Sequence, residues 1–147
     1  NQKKEKNYLT LIKAIKILKK EKFNIKLFIL IKNYKQINVI KKMAIDHKIN
    51  VNIKFLKNLN FFEIASLYKL ANLLILTPFN KNDTVLALHL MTSNIPMIVG
   101  DTKHLREITN NKYVYYNYLD PLSLADKIQY VILDKSFQKK MNIHKNS

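Results

Sequence analysis

Tyr8, Leu11, Ile12, Ile15 and Leu18 recur at helical spacing near the start of the chain, with Lys13, Lys16, Lys19 and Lys20 on the other side. That pattern predicts an amphipathic helix with one face in a core. Ile25 to Ile31 follows as a short, nearly continuous apolar run, the pattern of a strand covered on both faces. Ile37, Ile40, Ala44 and His47 mark a second helix, and Val51 to Leu56 a second strand, with polar alternation at Asn52 and Lys54. Asn60 stands three residues before Glu63, a capping-box spacing that opens a helix to about Leu70. Leu73 to Leu76 reads as a buried strand halted by Pro78, Thr84 to Thr92 as a helix, and Pro96 to Val99 as a strand ending at Gly100, expected to supply a positive φ angle. A short helix near Thr102 to Ile108 and a strand at Tyr113 to Tyr116 come next. Asp120 and Pro121 form an N-cap and first-turn pair for a last helix through Leu124, Ile128, Val131 and Ile132.

Strands separated by helices of this length imply right-handed βαβ units. The predicted fold class is therefore α/β, a Rossmann-like parallel sheet with helices on both faces. The expected domain spans residues 1–138, and the polar segment 139–147 is expected to be a fraying tail. Ligands of such folds sit at the carboxyl ends of the strands, so the loops Lys32 to Gln36, Lys57 to Asn60, Thr77 to Thr84 and Gly100 to Lys103 are the candidate site.

Composition narrows the chemistry. With no cysteine and four scattered histidines, neither a disulfide nor a zinc cluster of usual spacing is expected. No run of apolar residues is long enough to span a bilayer, and no signal-peptide core follows Asn1 to Lys6. The chain opens without methionine and steps at once into a helix, as a piece of a longer protein would. The formal charge of +16 points to phosphate-rich partners if taken alone. Only Arg106 of the 26 basic residues is an arginine, however, and the Lys, Asn, Ile and Tyr usage is what an AT-rich genome produces. The lysines are spread over helix faces, which favours a solvated surface, with peripheral contact to an anionic membrane as a lesser reading and nucleic acid not expected.

The order of segments resembles the C-terminal domain of the group 1 (family 4) GT-B glycosyltransferases from Glu5 to about Met141. Glu5-Lys6-Asn7-Tyr8-Leu9 resembles the family's "EKG/N" segment, and Lys26-Leu27-Phe28-Ile29-Leu30 its "KLVIVG" strand. Phe55-Leu56 and the stretch from Ile64 to Leu76 are similar to "FLG" and "ELYRAADLFVLPS". Asn94-Ile95-Pro96-Met97-Ile98 resembles "G-x-P-V-I", His104-Leu105-Arg106-Glu107-Ile108 resembles "GLREI", and Leu119-Asp120-Pro121 with Leu124-Ala125 resembles "VDPGDPEALA". Order and spacing together carry the likeness.

The resemblance implies a donor-side half of a retaining, metal-independent transferase that moves a sugar from a nucleotide-sugar to a glycan or lipid-linked acceptor. It implies an N-terminal domain lying outside this chain and no cofactor beyond the nucleotide-sugar co-substrate; the expected place is cytoplasmic, with a peripheral position at the inner membrane face resting on the charge alone. Lys6 matches a lysine that contacts the donor diphosphate; on composition it is equally one exposed lysine among many. The arginine that accompanies it in the family would fall at or before Asn1. The family's two glutamates, eight residues apart around a Gly-rich turn, fall on Lys81 and His89, and the turn on Asn82-Asp83-Thr84. Neither lysine nor neutral imidazole reproduces a two-oxygen acceptor. Backbone N–H groups of Thr84, Val85 and Leu86 can still face a diphosphate from a helix start. Leu59 joins this implied donor-binding set from the Lys57 to Asn60 loop.

Lys32-Asn33-Tyr34 replaces the family's "G-x-G", where side chains would crowd a nucleotide. These departures support an alternative from another class, a degenerate, non-catalytic GT-B domain acting as a binding or scaffolding module. His47 reads as a packed or surface histidine, His89 and His104 as possible rim residues, and His144 lies in the tail. Asp83 reads first as a helix N-cap. Tyr113, Tyr115, Tyr116 and Tyr118 are divided by alternation between core and surface, with no nucleic-acid motif beside them.

Overall fold

The computed structural model describes residues 2–31, 33–78, 83–136 and 139. Twelve elements alternate along it: α1 (Gln2–Lys20), β1 (Leu27–Ile31), α2 (Tyr34–Asp46), a one-turn 3-10 helix (Asn50–Asn52), β2 (Ile53–Lys57), α3 (Phe61–Leu70), β3 (Leu74–Leu76), α4 (Asp83–Met91), β4 (Met97–Gly100), α5 (Lys103–Ile108), β5 (Val114–Tyr116) and α6 (Pro121–Leu133). Every strand pairing is parallel, as the alternation predicts. The capping box forms: Glu63 N–H donates to Asn60 Oδ1 at 2.9 Å and Asn60 N–H to Glu63 Oε2 at 2.7 Å. Asp120 caps α6, with Pro121 in its first turn.

The larger core lies under α1, α2 and α6. Ile12, Ile15 and Leu18 of α1 meet Ile29 and Ile31 of β1, Ile98 of β4, Tyr116 of β5, and Leu124, Ala125 and Ile128 of α6. On the other face Leu74, Leu76, Met97 and Val99 pack against Ala87, Leu90 and Leu105 of α4 and α5. Strict alternation along β4, with Ile98 in one cluster and Met97 and Val99 in the other, is what a strand covered on both faces requires.

Several expectations need correction. Among the described residues the predicted single sheet is two hydrogen-bonded ladders, β1–β2 and β3–β4–β5, joined through the larger core and not by a shared ladder. β1 is not covered on both faces: Ile29 and Ile31 are buried, but Phe28 is 51% and Leu30 42% exposed. The reason lies in α3, whose Tyr68, with Ala71 just beyond its end, packs on the smaller cluster beside β3 and β4 and leaves the outer face of β1 open. β2 starts at Ile53, because Asn50–Asn52 coil into a 3-10 turn that leaves Val51 exposed and lets Asn52 Nδ2 donate to Ile25 O at 3.2 Å. Gly100 has no positive φ; left-handed turns are taken by Lys22, Lys48, Asn58, Asn94, Asn110 and Asn111. Asparagine tolerates that region because its short amide bonds locally.

Candidate functional site

Because the strands within each ladder run parallel, their carboxyl ends share one edge of that ladder, and the helices that follow them begin there. Asn7, near the start of α1, is 2% exposed and donates its Nδ2 to Pro78 O, just beyond β3, at 3.1 Å. Its Oδ1 is buried without a hydrogen-bond partner among the described residues. Gly100, at the end of β4, also lies against Pro78: a Cβ built on Gly100 would lie 2.7 Å from Pro78 Cδ. The glycine is needed for close approach, not for an unusual φ, which corrects the expectation drawn from the sequence. One buried amide and one missing side chain thus fix the floor from which the β3–α4 loop departs.

Lys6 precedes this anchor by one residue and is exposed, its carbonyl accepting from Thr10 Oγ1 at 3.1 Å. α4 begins at Asp83, inside the helix and not at the N-cap position predicted for it, while Lys81 and Asn82 lie outside the described residues. The backbone of Asp83, Thr84, Val85 and Leu86 forms the first turn, whose N–H groups have no partner within the helix. Thr84 Oγ1 lies 3.0 Å from His104 Nε2, tying the starts of α4 and α5 together. Val85 points to solvent at 74% exposure. His89 is half-buried, its ring 5.6 Å from that of Tyr68 on α3, so it faces α3 from the second turn of α4. Leu59 is half-buried in the β2–α3 loop between Asn58 and the Asn60 cap.

The Asn7–Pro78 bond therefore holds the Lys6 segment beside the end of β3, and His89 faces Tyr68 of α3. Sequence reasoning missed Asn7 and the part played by Arg106. Arg106 Nε bonds Asp101 Oδ1 at 2.5 Å, Nη2 bonds Asp101 Oδ2 at 2.9 Å, and the guanidinium stacks 4.1 Å over the Tyr115 ring. The Arg106 hydrogen bonds hold the Asp101 carboxyl below the usual carboxylate range. The chain's one arginine thus braces the β4–α5 loop against β5. Its spacing of five from Asp101 was the available signal. No cluster of three or more metal-ligating side chains occurs among the described residues.

In a parallel α/β layer, nucleotides and phosphates are commonly bound where strand ends meet helix starts. The chain matches the family model for glycosyl transferases group 1 over residues 1–147, and it belongs to that family. No curated protein matches the chain.

Proposed function

We propose that the chain is the donor-binding half of a glycosyltransferase, taking a nucleotide-sugar at the carboxyl edge and acting with an N-terminal half on a glycan or lipid-linked acceptor. The observation that carries this reading is the Asn7–Pro78 bond, which anchors the Lys6 segment and the approach to α4 at the same edge. Departure of a nucleoside diphosphate builds negative charge on the leaving oxygens. The Lys6 ammonium and the free N–H groups of Thr84, Val85 and Leu86 are suited to stabilise that charge, with no metal ion required of the chain. Leu59, Lys81, Asn82 and Asp83 join the proposed donor-binding set by the family resemblance, which also puts at His89 a carboxylate that holds ribose hydroxyls.

A second reading is a binding module that has lost catalysis. It is favoured by the chemistry at positions 81 and 89, a lysine and a histidine, and by the engagement of His89 with Tyr68. Calorimetric titration with UDP-, GDP- and ADP-sugars separates the two. Saturable heat with one of them, weakened about tenfold or more in Lys6→Ala as expected for a lost charge-assisted contact, supports donor binding. Absence of heat with all three overturns it and favours the binding module.

A further inference from the structure

We propose that the second half of α1 and the start of α6 form a docking surface for an anionic lipid bilayer. Lys13, Lys16 and Lys20 recur at spacings of three and four, so their ammonium groups form one row along α1. Together with His47 at the end of α2 they line a shallow groove whose apolar members are Ile17, Pro121 and Leu122. Asp120 is the one acidic lining residue among the described residues, and its Oδ1 already accepts from Leu122 N–H at 3.0 Å as the cap of α6. Lys19 Nζ donates to Lys48 O at 3.2 Å, which draws a further positive charge toward the α2 end of this face.

Two features favour a bilayer over another polyanion. Leu122 and Leu119 are 55% and 60% exposed, and leucine gains from burial in hydrocarbon but not from contact with a phosphate backbone. The cations are lysines, point charges suited to diffuse headgroup charge, whereas Arg106, the residue fitted to forked recognition, is committed to Asp101. The row begins about 10 Å along α1 from Lys6, taking seven residues at the helical rise, so a docked face would hold the carboxyl edge close to the headgroups. The inference does not depend on donor binding.

The test is co-sedimentation of the full chain with phosphatidylcholine vesicles, with and without phosphatidylglycerol. Binding is expected only to the anionic vesicles. Replacing Lys13, Lys16 and Lys20 together by Gln should weaken it about a hundredfold, roughly fivefold for each charge near the surface. The control triple Lys54→Gln, Lys69→Gln and Lys112→Gln removes equal charge from exposed positions elsewhere and should weaken it less than about fivefold, through the screened long-range field alone. Leu122→Asn should lower binding severalfold and steepen its loss with salt. Equal losses in the two triples would overturn the proposal, as would tighter binding to a DNA duplex than to anionic vesicles at the same salt. Circular dichroism of each variant excludes unfolding as the cause.

Discussion

On one side of the strand layer, α1, α2 and α6 seal Ile12, Leu18, Ile98 and Leu124 completely from solvent. On the other, α4 and α5 cover β3 and β4 while Phe28 and Leu30 of β1 remain open, and Val85 and Leu88 of α4 face outward. The candidate edge draws on both sides, Lys6 and Asn7 from the sealed one and the α4 and α5 starts from the open one. A site of this build has a rigid wall and a looser one, and Asn7 and Gly100 carry the rigidity across by gripping Pro78.

The largest expected effect lies in the sealed core. Leu124→Ala should cost about 3–5 kcal/mol, because a side chain with no exposed surface leaves a cavity that surrounding helices cannot fill. Leu90→Ala, 6% exposed and in the smaller cluster of buried side chains, should fall nearer about 2 kcal/mol, since fewer buried neighbours surround it. Urea unfolding of both variants checks the contrast. An equal or greater cost at Leu90 would mean that the two sides are packed alike.

Next in size is Gly100→Ala, expected to cost about 1–3 kcal/mol through overpacking alone. The added methyl meets a proline ring and not a flexible side-chain end, so the β4 terminus or Pro78 must shift. Pro78→Ala should relieve most of that cost, making the double variant more stable than the sum of the single losses predicts. Additive losses would show that the grip between β4 and the β3–α4 loop is not what fixes Gly100.

What the sequence made legible was local. The α1 stripe, the Asn60–Glu63 box, the Asp120-Pro121 start and the order of strands all depend on residues within a few positions of one another. The Asn7–Pro78 bond joins residues 71 apart, and no spacing announces it. Gly100 was visible as the lone glycine, yet a sequence reveals only that φ is free there, not which neighbour needs the space. β1 misled for the same reason: Leu27 to Ile31 is apolar throughout, and whether its second face is covered depends on where α3 packs. For the candidate edge, the resemblance supplied Lys6 and the α4 start, and only tertiary contacts could turn His89 toward Tyr68.

The sealed side also carries a pH signature. Burial pushes the Tyr116 phenol far above its ordinary value of 10.0, and the same cause raises Tyr8 and, on the open side, Tyr68. The folded state therefore holds the Tyr116 proton more tightly than the unfolded chain does. Its contribution is fully present below about pH 10, where both states are protonated, and is lost as pH rises above that value and only the unfolded phenol ionises. The expected loss is on the order of 1 kcal/mol per pH unit above about pH 10, removed in Tyr116→Phe. Urea midpoints from neutral to alkaline pH measure it, and an unchanged slope in the variant would place the alkaline sensitivity elsewhere.

The smallest effect is the sharpest test of the open side. Phe28 stands on the outer face of β1 opposite Lys54 in the β1–β2 register, half exposed, while its chain neighbour Ile29 is buried against α1 and α6. Phe28→Ser should therefore change stability by no more than about 0.5 kcal/mol, the range for surface substitutions away from packed contacts. A loss of about 3 kcal/mol or more, typical of a buried aromatic, would mean that something covers this face in solution. Repeating the unfolding at several protein concentrations identifies a covering second copy, because stability drawn from self-association rises with concentration whereas that of an isolated chain does not.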